Sequence, residues 1–204
     1  MRRSLMLVAA FAGLVVVPAL AQNPPATTPV RVRGTVEKLD GNTLTVKARD
    51  GQSHTIKLAD NFAVSALVKK TIADVKSNDY IASTGVKGTD GKLHCIELRI
   101  FPEAQRGTAE GQFPWDTQPD ATMTNATVTG IVEATGGPMV KVNYKGTESN
   151  FVAGPECQVF GYVAGDAGLL KPGAAVFMVA QKKDDGTLAA ARVTAEKDGV
   201  KPPM

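Results

Sequence analysis

His54 and His94 are the two histidines of the chain, and Cys95 and Cys157 its two cysteines. These four side chains bound the chemistry open to it. The alternation around them puts His54 on a third strand and His94 on a fifth. Those strands are neighbours in a small OB-like barrel, so the two rings could approach with Cys95 alongside. They are weak metal candidates. Residues 94 and 95 face opposite sides of a strand, and zinc asks for three or four convergent ligands. The expectation is no metal, no cofactor and two surface histidines. The cysteines leave two readings open: one disulfide, which needs Cα atoms within about 7 Å, or two small buried apolar side chains. No serine or threonine stands with a histidine and an acid in a recognisable order. Asp184-Asp185 resembles a carboxylate pair, but Asp185-Gly186 reads as a turn chosen for its backbone. The chain is not expected to be an enzyme.

The aromatic residues offer binding rather than catalysis. Aromatics make up 5% of the 204 residues, and the single tryptophan, Trp115, lies close to Phe113. Both fall in residues 101–125, where Pro102, Pro114 and Pro119 break regular structure. They either pack in a groove between two units and fix their angle, or present an exposed anchor to a partner or sugar.

Residues 1–21 stand apart. Arg2 and Arg3 precede an apolar run from Leu5 to Leu20, and Ala19-Leu20-Ala21 supplies the small residues of a cleavage site. This is the pattern of a secretory signal peptide cut after Ala21. No later run is long enough for a membrane span. Without Arg2 and Arg3, 21 of the 23 basic side chains remain, almost matched by the 20 acidic ones. The first unit keeps a mild basic excess spread along its strands. Spread charge of that kind, in a unit that offers chiefly Phe62 and Tyr80 as aromatics, argues against nucleic-acid binding.

The elements that must position these residues come from an internal repeat. Arg33-Gly34-Thr35-Val36-Glu37 matches Thr129-Gly130-Ile131-Val132-Glu133 at a spacing of 96 residues. After the turn at Asp50-Gly51 the spacing becomes 95, setting Phe62 against Cys157 and Cys95 against Ala190. Each copy reads as three meandering strands, a connector and a hairpin. The expected fold is all-β: two tandem five-stranded OB-like barrels, residues 30–100 and 126–196. Two meander sheets packed as a sandwich are the alternative. Residues 22–29 and the tail 197–204 read as disordered ends, and 101–125 as a linker.

The string Gly34 to Gly51, with Val75 to Asn78 and Asp90 to Leu93 and their counterparts Leu170 to Gly173 and Asp185 to Leu188, resembles an exported bacterial β-barrel domain family of unknown function. The shared residues are turn and core positions, so the resemblance implies a fold and an exported location, not an activity. Together these readings point to a periplasmic or secreted binding or interaction module, with an envelope protein or a small ligand as partner. A periplasmic protein handling a small ligand or metal through His54 and His94 is the alternative.

Overall fold

A computed structural model describes residues 28–203. Alternation of β-branched and polar residues builds twelve strands: β1 Thr28–Asp40, β2 Thr43–Ala48, β3 Ser53–Lys70, β4 Tyr80–Lys87, β5 Leu93–Ile100, β6 Gly111–Pro114, β7 Thr122–Val132, β8 Met139–Tyr144, β9 Thr147–Val152, β10 Gln158–Ala164, β11 Ala175–Lys182 and β12 Leu188–Ala195. Only single 3-10 turns interrupt them, at Ile72–Asp74, Glu103–Gln105 and Ala167–Leu169. Among the described residues no helix is long and apolar enough to cross a membrane. The signal-peptide reading lies outside the described residues.

Five of the strands close into a barrel of OB-like order, and the remaining ones add a second, less completely joined ring. β1, β2, β3, β12 and β11 form one ring, with β3 and β12 parallel and the other pairs antiparallel. Inside it lie Val32, Val36, Leu44, Val46, Ile56, Val176, Met178 and Val193. β7, β8 and β9 continue to β5, which runs parallel to β9 and β10, and β4 returns to β7. That ring holds Ile81, Leu98, Val128, Val140, Val142 and Phe151. The first ring closes along full ladders, whereas the second joins β9 to β5 at the single pair His94 and Val152; curling in this way covers strand edges that a flat sheet would expose.

Neither half of the chain closes on itself, which corrects the expected partition into residues 30–100 and 126–196. The first ring takes its last hairpin, β11–β12, from the second half of the chain, and the second ring takes β4–β5 from the first. The cause lies in β3. It runs unbroken for 18 residues, about 60 Å at strand rise. It therefore carries the chain out of the first ring before β4 begins. In the second half Gly154-Pro155 interrupts the equivalent stretch, because proline cannot donate to a ladder, giving separate β9 and β10. β10 pairs antiparallel with the end of β3, from Val159 opposite Lys70 to Ala164 opposite Ser65. This two-stranded crossing leads each half into the other's barrel.

The pairing registers also revise the sequence alignment in its first strand. Val36 faces Val46, and Val128 faces Val142. Each strand then slips by one residue, at Glu37 and at Thr129. Val36 is thus equivalent to Val128, not Val132, and Gly34 is not equivalent to Gly130. Four extra residues sit in the β7–β8 turn, where Val132 pairs with Met139, against the tight Asp40–Thr43 turn of the first half. An even shift leaves every side chain on its own face, so alternation could not reveal it.

The two glycines accordingly differ in role. A Cβ at Gly34 would collide with the Lys47 carbonyl oxygen, whereas one at Gly130 meets nothing within 4 Å. Gly34→Ala is expected to cost about 2 kcal/mol or more, and Gly130→Ala to stay within about 0.5 kcal/mol. Paired denaturation midpoints check this; equal losses would restore the original alignment.

The ends and the linker are more regular than expected. Thr28 and Pro29, the described part of the segment 22–29 read as disordered, belong to β1 and pair with Lys182 and Gln181. The tail docks: Lys197 and Val200 bridge, Pro202 is buried, and the Pro203 carbonyl accepts from Arg33 Nε at 3.2 Å. Within 101–125, β6 pairs with the start of β7. Pro114 is tolerated because β6 is an edge strand.

Candidate functional site

The outward faces of the two barrels and the 101–125 segment enclose a cleft of about 700 Å³. Strand alternation explains its lining. On β11, Val176, Met178 and Ala180 point into the barrel, so Phe177 and Val179 point out. On β1, Val30 and Val32 point in, which sends Arg31 and Arg33 outward. From the second barrel come Arg99 and Met123, and Tyr162 comes from the crossing strand. Val179 is 44% exposed, a large apolar side chain open to the cleft.

Phe113 and Trp115 both line this cleft, half-buried. Their rings meet edge-on at 6.1 Å, and Trp115 meets Phe177 at 6.2 Å. Arg31 stacks over the indole at 4.3 Å, with Arg33 at 5.1 Å. Trp115 is thus held by the β1 and β11 faces of the first barrel, while β6 ties Phe113 to the second.

Two ion clusters support the walls. Arg33, 3% exposed, donates from Nη1 to Asp116 Oδ2 at 2.7 Å. Arg31 lies 3.9 Å from the same carboxylate. Burial pulls the Arg33 guanidinium below its ordinary value, and Asp116 partly offsets this. Burial would raise the Asp116 carboxyl, but the Arg33 hydrogen bond and charge outweigh it and hold it low. Deeper, Arg99 Nε sits 2.9 Å from Glu97 Oε1, and Arg99 Nη1 donates to the Tyr162 hydroxyl at 3.2 Å. Burial pushes the Glu97 carboxyl up against the pull of Arg99 and Arg33.

The second wall is anchored by stacked rings. Phe101 lies 5.5 Å from Tyr80 and 5.2 Å from Tyr162. Asn125 Nδ2 donates to the Thr108 and Ala109 carbonyls, both at 3.2 Å. The Tyr80 hydroxyl donates to the Thr108 carbonyl at 3.0 Å. Burial, aided by the Glu110 carboxylate, raises the Tyr80 phenol to about 12. An unfolded tyrosine ionises near pH ~10. The unfolded chain therefore loses this proton first, and the stability Tyr80 provides is complete below pH ~10 and disappears as pH rises from there to about 12. Denaturation midpoints between pH ~9 and ~12 should fall less in Tyr80→Phe than in the parent; parallel slopes would contradict the assignment.

The other sequence candidates lie elsewhere. His54 and His94 are not brought together as neighbouring strands: β3 pairs with β2, β12 and β10, and β5 with β4, β9 and β10. The hairpin exchange separates them. Each histidine instead faces an aspartate across its own turn, His54 at 4.0 Å from Asp50 and His94 at 3.0 Å from Asp90. Among the described residues no group of three or more His, Cys, Asp or Glu side chains is placed to hold a metal. Cys95 and Cys157 form a disulfide with Cα atoms 5.1 Å apart. It joins β5 of the first half to the bend before β10 of the second, inside one barrel. The first barrel fills the equivalent place with Ala190 and Phe62.

Arg31, Arg33, Arg99, Tyr162 and Phe177 were not singled out from the sequence. Their outward positions read as solvated strand faces. The available signal was the aromatic-rich 101–125 segment, which requires apolar partners on faces that alternation alone assigns to solvent.

No family model matches the chain, and neither a curated protein nor a solved structure matches it.

Proposed function

We propose that the protein is an exported, non-catalytic binding module of the cell envelope, periplasmic or secreted, that takes a small ligand in the cleft between its barrels. The observation that carries this is the cleft itself. Its volume of about 700 Å³ falls within the range of small-molecule sites, and it combines aromatic walls with a few polar groups, as such sites do. Rigid strands and stacked rings hold the lining in place, so little ordering would be needed on binding. The disulfide is in keeping with an oxidising compartment. Equivalent strand pairings in the two barrels support a duplicated unit, and with it the resemblance to the exported β-barrel family. Neither nucleic acid nor a membrane span enters this reading.

The neutral dye N-phenyl-1-naphthylamine tests it. Trp115 is the only tryptophan, so energy transfer from its emission reports a dye in the cleft. Saturable one-to-one quenching is expected, weakened about tenfold by Val179→Glu, which puts a carboxylate where apolar surface was. Quenching that is absent, or unchanged in the variant, would sink the reading.

A further inference from the structure

The charge of the lining is one-sided. Among the described residues, Arg31, Arg99 and Arg192 contribute to the cleft, and no Asp, Glu, Lys or His does. Two carboxylates stand behind this surface, and both are engaged. Glu97 is held against Arg99, and Asp116 Oδ2 takes its short hydrogen bond from the buried Arg33. Arg31 is left at 3.9 Å from the other Asp116 oxygen. Arg192 is exposed and makes no ion pair among the described residues. The four guanidiniums at and behind the cleft therefore outnumber the carboxylates that answer them.

The stacking of Arg31 adds a chemical preference. A guanidinium lying on an indole uses its flat face, while its N–H donors lie in the plane and stay available at the edge. Arg31, its Cζ 4.3 Å from the Trp115 ring centre and its side chain 34% exposed, thus keeps N–H donors open to a ligand beside an aromatic wall. Beside it on the same wall, Phe177 and the exposed Val179, which pairs with Arg31 across the β1–β11 ladder, are apolar. A ligand that matches both has a flat apolar body and a negatively charged group.

Resting on the cleft reading above, we infer that the site selects small organic anions, a planar hydrophobic body bearing a carboxylate, sulfonate or phosphate, with Arg31 and Arg192 receiving the anionic group and the Trp115, Phe177 and Val179 surfaces receiving the body. Arg99 stays paired with Glu97 and sets the floor.

A matched pair of probes separates this inference from the general one. 1-Anilinonaphthalene-8-sulfonate differs from N-phenyl-1-naphthylamine only by its sulfonate. The sulfonate is expected to bind the full-length mature protein one-to-one, about tenfold or more tighter than the neutral dye, the worth of one charge-assisted contact. Raising the salt should erode that advantage and leave neutral-dye binding unchanged. Arg31→Gln and Arg192→Gln should each reduce it, and the double variant should bring the two dyes to parity. Arg31→Lys, which retains charge but not the planar fork, should recover only part. Circular dichroism and melting curves confirm that each variant is folded. Equal affinity of the two dyes for the parent, or an advantage that persists in the double variant, would overturn anion selection while leaving the cleft as a site. Failure of both dyes to quench Trp115 would instead remove the cleft reading and this inference with it.

Discussion

Replacing Cys95 and Cys157 together by serine is expected to lower stability by about 4 kcal/mol, from the loop entropy released in the unfolded chain. The linked residues are 62 apart in sequence, so the bridge closes a long loop. The hairpin exchange gives the loss a particular character. This bridge is the covalent tie between the β4–β5 hairpin and the second-half strands that it completes, and Ala190 and Phe62 make no such tie in the first barrel. The second barrel should therefore open first. Hydrogen exchange in the serine variant should accelerate in β4, β5 and β9 before β1, β2 and β11. A second variant separates packing from cross-linking. Cys95→Ala with Cys157→Phe copies the first barrel's solution and should recover core packing without the entropic part. The idea fails if the serine variant melts within a degree of the parent, or if both barrels lose protection together.

Comparable in size is the effect of breaking the Glu97–Arg99 pair. Arg99 is 3% exposed, with Glu97 at 2.9 Å and the Tyr162 hydroxyl at 3.2 Å. Glu97→Ala leaves a buried guanidinium without its carboxylate and is expected to cost about 3–5 kcal/mol. Arg99→Met alone strands the carboxylate, which can escape part of the penalty by protonating, since burial already pushes it up. That single variant should accordingly be the milder one, and its deficit should shrink as pH falls and Glu97 takes up a proton. The double change Glu97→Leu with Arg99→Met removes both desolvated charges and should recover most of the loss. A double-mutant cycle in urea measures the coupling. Additive single and double effects would mean that the pair is not an interacting unit.

Much of the barrel interior was legible from alternation. Val32, Val36, Leu44, Val46, Ile56 and Leu58 are all buried in the first core. That Phe113 and Trp115 must find partners was legible from composition, because large aromatics in a segment between two units need something to touch, and both line the cleft. The arginine lining was not. Arg31 and Arg192 carry the same outward mark as any solvated strand residue, and only the approach of a second barrel turns an outer face into a wall.

What the amino-acid sequence determined by itself was the all-β class, the placement of turns and the face that each strand buries. These follow from period-two patterning and local turn chemistry, which act over a few residues. The tertiary structure alone decided which hairpin closes which barrel, the four-residue offset between Gly34 and Gly130, and the joining of Cys95 to Cys157. Two similar hairpins satisfy the same strand edge equally well, and an even shift hides no face. The choice was made by the straight run of β3 and the break at Gly154-Pro155, which set where the chain arrives and hence which edge it can reach.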